Sequence, residues 1–326
     1  VNAGINFVRF LLAFNVSAFH LWNPVARGAG PVAVMAFFYL SGYVITQIAQ
    51  EVYTSARQAG AFLLNRFLRI YPQYWAAVLF ALAAVNFYPE AADHINDYMS
   101  WPSGLREWLP QWLIFGLYQS NLRLLPATWS LSTELYFYLL IGLGTGHSKK
   151  WTLALFVASL PVAVLCALRV VPVDFYGHPV GNAFVFAFGS LTYFYRGVFR
   201  VRPPILALAG VAYLMHTYAI PLIGDSDLDN ANIAGSLASF SIVILYLVQN
   251  DFRNPRIVNV CNVLGKLSYP VFLTHWTVCV LVSALFFDGR ASYDAATFAE
   301  GAIYFSTTLV AVIACSALFY QCVDKP

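Results

Sequence analysis

The sequence predicts an all-α, polytopic membrane protein of about ten transmembrane helices, with both termini on the cytoplasmic side. Three observations predict it. Of 326 residues, 60% are hydrophobic and only 10% charged, and the mean hydropathy is +0.66. A soluble domain carries about a quarter charged residues, and this composition exceeds what a water-facing shell could cover. Long stretches lack Asp, Glu, Lys and Arg altogether, among them 28–50, 70–89, 175–195, 203–224, 230–250, 267–287 and 301–323. Finally, the charged residues fall in a pattern that alternates along the chain.

A membrane-crossing helix needs about 20 mostly apolar residues. Spans are accordingly expected near 5–24, 31–49, 70–89, 126–145, 151–169, 180–196, 203–222, 231–250, 266–287 and 299–322. The first carries Arg9 and His20 and shows no small-residue cleavage site, which argues against a removable leader. The fourth is interrupted by one acid, Glu134. With the N-terminus inside, the inner segments hold twelve Lys or Arg and the outer segments five. That is the positive-inside bias. The acids run the other way, three inside and eleven outside. Residues 107–121 are apolar but short and broken by Pro110. Crossing there would put the later basic loops outside, so the segment is expected to lie flat at the outer interface or to be re-entrant. With no internal repeat and no linker, residues 1–326 read as one domain.

The composition also excludes functions. A net charge of +3 without a dense basic patch does not suit nucleic acid. The five cysteines form no CxxC pair and read as small buried hydrophobes. No metal site is expected: Asp225, Asp227 and Asp229 have a calcium-like spacing but too few ligands, and read as a solvated loop.

Ionisable groups inside a bilayer are functional hypotheses by default. Arg9 and His20 are eleven residues apart, which puts them on nearly one helix face about 16 Å apart along the axis. Glu134 enters from the opposite end, Arg66 and Arg69 stand at the inner mouth of the third span, and His275 lies in the ninth. Guanidinium groups at an inner mouth suit the phosphates of a cytosolic ligand. A histidine beside a carboxylate suits base catalysis on a hydroxyl. Buried His, Glu and Arg would equally serve a proton-coupled secondary transporter, although no inverted repeat supports one. A non-catalytic sensor or assembly subunit is a third reading.

Six segments, in order, resemble the acyltransferase-3 family of integral membrane O-acyltransferases. They are INFVRFLLAFNVSAFH with Arg9 and His20, AFFYLSGYVIT, and NRFLRIYPQYW with Arg66, Arg69 and Pro72. LPATWSLSTELYFY follows with Trp129, Ser130, Ser132 and Glu134, then LGKLSYPVFLTHW with Ser268, Tyr269 and His275, then QCVDKP with Asp324 where Glu is commoner. Phe272 stands where the family often has Tyr. The resemblance implies transfer of an acyl group, usually acetyl, from cytosolic acyl-CoA to a hydroxyl of a cell-surface or lipid-linked carbohydrate. It implies an enzyme of the bacterial inner membrane, working between acyl-CoA, a carbohydrate or glycolipid acceptor and the lipid bilayer. Carried over, His20 is the catalytic base or acyl carrier, Arg9 its partner and Glu134 its support. Arg66 and Arg69 would hold the CoA phosphates, with Tyr39 and Ser41 near the thioester. Trp129, Ser130, Tyr269 and His275 would face the substrate. Trp101, Trp108 and Trp112 could stack on a sugar but suit interfacial anchoring, and Gly42 suits close helix approach.

Overall fold

The computed structural model describes residues 2–22, 26–223 and 230–324. The acidic loop with Asp225, Asp227 and Asp229 lies outside the described residues. All regular structure among the described residues is helical. The principal helices are α1 (Ala3–Leu21), α2 (Ala29–Glu51), α3 (Ala59–Phe87), α4 (Pro89–Ile95), α5 (Leu105–Leu113), α6 (Trp129–Gly142) and α7 (Lys149–Ala167). They continue as α8 (Pro179–Tyr195), α9 (Pro203–Leu214), α10 (Ile220–Ile223), α11 (Asn230–Gln249), α12 (Pro255–Phe286) and α13 (Phe298–Phe319). Helix starts follow local chemistry. The Asn2 side chain accepts from the amides of Gly4 and Ile5, that of Asn254 from Arg256, and that of Thr297 from Glu300. Pro179, Pro203 and Pro255 open their helices, where a missing N–H costs nothing.

Eight described helices are long and apolar enough to cross a membrane: α1, α2, α3, α7, Pro203–Leu222, α11, α12 and Phe298–Val323. The other two expected spans, 126–145 and 180–196, are shorter than the sequence suggests. The first becomes a 3-10 turn, Pro126–Thr128, leading into the 14 residues of α6, and the second becomes the 17 residues of α8. At about 1.5 Å per residue these helices reach only about 21 and 26 Å, short of the roughly 30 Å hydrocarbon core.

The segment before α6 accounts for the missing length. Three side chains of α3 seize the last carbonyls of α5: the Tyr71 and Tyr74 hydroxyls donate to Leu113 and Gln111, and the Trp75 indole to Trp112. Residues 71–75 are the middle of the 29-residue α3, so the end of α5 is held at mid-height. Ile114 and Gly116 take positive φ, 68° and 84°, and turn the chain. The buried Gln111 side chain then stitches it, donating to Leu122 O and accepting from Leu124 N. Of the two expectations for 107–121, the re-entrant one describes this path. Trp101, ahead of it, remains exposed, as an interfacial anchor would.

Two helix pairs position the site. In α1 and α12, the Asn6 amide donates to Asn262 Oδ1 at 2.9 Å, Ala13 packs with Val271, and His20 meets His275. These contacts advance together, so the helices run parallel. Helices α2 and α8 approach through Gly42 and Gly189, where a Cβ would fall 2.1 Å from Phe186 O and 1.8 Å from Tyr39 O. Thr46 donates to Ser190 and Ser190 to Gly42 O along the same seam. Cys166, Cys261 and Cys279 are buried thiols, whereas Cys322 is exposed.

Candidate active site

Two cavities lie between α1, α2, α6 and α12. The larger, about 690 Å³, is lined by Arg9, Ser41, Arg66, Arg69, Glu134, Tyr138 and Tyr269 among others. It reaches the surface at the start of α3, where Asn65, Leu68 and Arg69 are exposed. Here Glu134 accepts from the hydroxyls of Ser41 and Tyr138. Tyr138 follows Glu134 by four residues, one helical turn along the same face. Arg66 donates to the Asn65 side chain, and its buried Nε has no partner. Among the described residues the ion pairs are His94–Asp294 and Arg196–Glu51, so none joins the three cavity arginines to Glu134. Three guanidiniums and one carboxylate therefore face the same space, an excess of positive charge. Such a space attracts anions, and Arg in particular offers phosphate a bidentate fork.

The smaller chamber, about 270 Å³, is lined by Val16, Phe19, His20, Gly30, Pro31, Val34, Ala127, Trp129, Tyr176 and Phe272. None of these residues is exposed. The His20 ring stacks on His275 at 5.5 Å and 12° and touches Trp276 at 4.7 Å. His275 Nδ1 lies 3.2 Å from Val271 O, which fixes the proton there and leaves Nε2 as a lone pair. That Nε2 and the Trp276 indole nitrogen are buried without partners. Trp129 and Tyr176 pack edge to face at 4.9 Å.

A family model described as an acyltransferase domain, acyltransferase-3, matches residues 2–320. The chain belongs to the acyltransferase-3 family. No curated protein and no solved structure matches it. Membership makes the chain an acyltransferase, an enzyme of non-aminoacyl transfer, and sets aside the transporter and sensor readings. Together with the long apolar helices it makes the protein an integral membrane enzyme.

The sequence-predicted site residues of this acyltransferase are divided between the two cavities. Arg9, Arg66, Arg69, Ser41, Ser130, Glu134 and Tyr269 line the larger one. Ser130 there donates to Ala127 O and Tyr269 to Ile70 O. His20 and Trp129 line the smaller one. Three expectations change. Glu134 is not hydrogen-bonded to His20: α6 starts only at Trp129, beside the small chamber, and Glu134 lies five residues, about 7.5 Å, further along it. Nor do Arg9 and His20 share a cavity, because eleven residues of rise separate them. Tyr39 does not reach either cavity; its hydroxyl donates to Thr192 at 2.7 Å in the α2–α8 seam. Residues two apart on a helix point to opposite sides, so Ser41 and Tyr39 could not both face the donor space. His275 lines neither cavity and instead backs His20. Sequence reasoning missed Tyr138, Tyr176, Trp276 and Val34. Only Tyr138 left a signal, its one-turn spacing from Glu134.

Proposed function

We propose that this acyltransferase is an O-acyltransferase that draws acyl-CoA, with acetyl as the acyl group, into the larger cavity from the cytoplasm. It passes the acyl group to a hydroxyl of a cell-surface or lipid-linked carbohydrate at the smaller chamber. The carrying observation is the division of labour. A cavity lined by three arginines and one carboxylate opens at the start of α3, and a nearly apolar chamber beyond it holds His20. Arg66 and Arg69 bind the CoA phosphates, with Arg9 deeper in the same space. Ser41 and Tyr138, both hydrogen-bonded to Glu134, form a polar cluster beside the thioester. Trp129, Ser130 and Tyr269 shape the path of the reacting groups, and His275 backs His20.

His20 takes the proton of the acceptor hydroxyl as its oxygen attacks the thioester carbonyl. The new C–O bond forms, the C–S bond breaks, and the proton passes from the imidazolium to the departing thiolate. If the imidazole attacks first, the same bonds exchange through an acyl-histidine, which rapid quenching with labelled acyl-CoA would trap. In this reading α6 and α8 complete ten crossings, the twelve-to-five charge bias places both termini in the cytoplasm, and the membrane is the bacterial inner membrane.

The test is transfer in proteoliposomes, read by mass spectrometry of the glycan. His20→Ala is expected to lower turnover at least about 100-fold with normal assembly. Arg69→Ala is expected to raise the KM for acyl-CoA about tenfold or more and leave the acceptor KM unchanged. Retained transfer by His20→Ala, or an equal loss on both substrates with Arg69→Ala, would overturn the assignment.

A further inference from the structure

We propose that Phe272, together with Val34, forms a septum between the two cavities, and that its bulk sets which acyl groups reach His20 and keeps water off the thioester. The inference rests on the functional reading above. Four elements run past both spaces; their Arg9, Ser41 and Glu134 line the larger, while the smaller takes His20 among mostly apolar side chains. On α1 the lining passes from Arg9 to Val16 and His20, and on α6 from Glu134 back to Trp129. On α2 it passes from Ser41 to Gly30 and Pro31. On α12, Tyr269, Phe272 and His275 recur every third residue, rising along one face about 4.5 Å at a time. Tyr269 lines the large cavity, His275 backs His20, and Phe272 stands between them. Only Phe272 and Val34 line both spaces. Phe272 also packs against both major apolar clusters and comes within 6.5 Å of the His275 ring.

A donor anchored by the arginines presents its thioester to this barrier. Only a group small enough to fit beside a phenyl ring and a valine passes, and an aromatic side chain at the junction excludes bulk water. Pro270, two residues before Phe272, lacks the amide proton that would bond back one turn. The helix therefore has one bond fewer in the turn that carries the septum.

Removing the ring should join the cavities. Phe272→Ala is expected to accept a butyryl donor relative to acetyl about tenfold better than the wild type, on the scale of a few methylenes in an apolar pocket. It should also hydrolyse acyl-CoA without acceptor: water attacks the thioester carbonyl, the C–S bond breaks, and carboxylic acid and thiol leave. Val34→Ala should shift both readouts the same way. Val34→Phe should suppress transfer while CoA binding, read by calorimetry in detergent, stays within about twofold. A wild-type enzyme that transfers acetyl, with Phe272→Ala and Val34→Ala showing its acyl-length profile and its hydrolysis, would sink the septum and spare the functional reading. A wild-type enzyme that consumes no acyl-CoA with any carbohydrate acceptor would sink both. If Phe272→Ala fails to assemble, Val34→Ala and Val34→Phe decide alone, by the same two readouts.

Discussion

Glu134 is hydrogen-bonded to two hydroxyls, not to His20. A carboxylate accepting from Ser41 and Tyr138 holds both donors in place over the larger cavity, and each charge-assisted bond is worth about 1.5–3 kcal/mol. Glu134→Gln keeps the shape but replaces one acceptor oxygen with a donor. Acyl transfer is expected to fall about 10- to 100-fold, with the size of the fall independent of acceptor concentration. A loss that saturating acceptor restores would return Glu134 to the acceptor side. Arg9, Arg66, Arg69 and Glu134 were legible singly because charge is scarce in this chain, but the sequence grouped Glu134 with His20 and not with the arginines whose cavity it lines. Phe272 and Tyr176 were not legible. Among 27 phenylalanines and 20 tyrosines, periodicity cannot distinguish a cavity wall from a lipid contact.

Among the elements, the re-entrant segment depends on one side chain more than any other. Gln111 is 1% exposed and satisfies Leu122 O and Leu124 N at once. Gln111→Leu leaves Leu124 N without its partner, while Leu122 O keeps the Ser120 hydroxyl at 2.6 Å, and is expected to cost about 1–3 kcal/mol, seen as a lower unfolding temperature in detergent and proteolysis near residue 115. His94 Nε2 meets Asp294 Oδ2 at 2.7 Å and ties α4 to the turn before α13. Partial burial pushes the Asp294 carboxyl up, but the Ala291 amide, His94 and Arg290 outweigh it and hold it below the usual carboxylate range. A depressed carboxylate stabilises the fold above its unfolded value, near 3.9, and loses that contribution as pH falls through its folded value. Hydrogen exchange at residues 291–296 is therefore expected to rise below about pH 4, and Asp294→Asn should flatten the change. The long helices were readable from hydropathy alone. The short ones were not: in α6 and α8 the apolar run continues into 3-10 turns and loops, and composition does not mark where a helix stops.

At the scale of the molecule, polarity is organised along one axis, with guanidiniums at one end and imidazoles and aromatics further in. On the proposed orientation the arginine end faces the cytoplasm. A membrane-impermeant maleimide added to sealed, right-side-out cells is expected to label Asp97→Cys and to spare Lys150→Cys; the reverse pattern would invert the orientation. The asymmetry has a kinetic consequence. The cavity carries an excess of two positive charges over its single carboxylate and grips whatever polyanion enters, whether or not it still bears cargo. On the proposed function, discharge of the spent carrier, rather than the bond exchange itself, is then expected to be the slow step, with the ratio of loaded to empty carrier acting as a throttle on the rate.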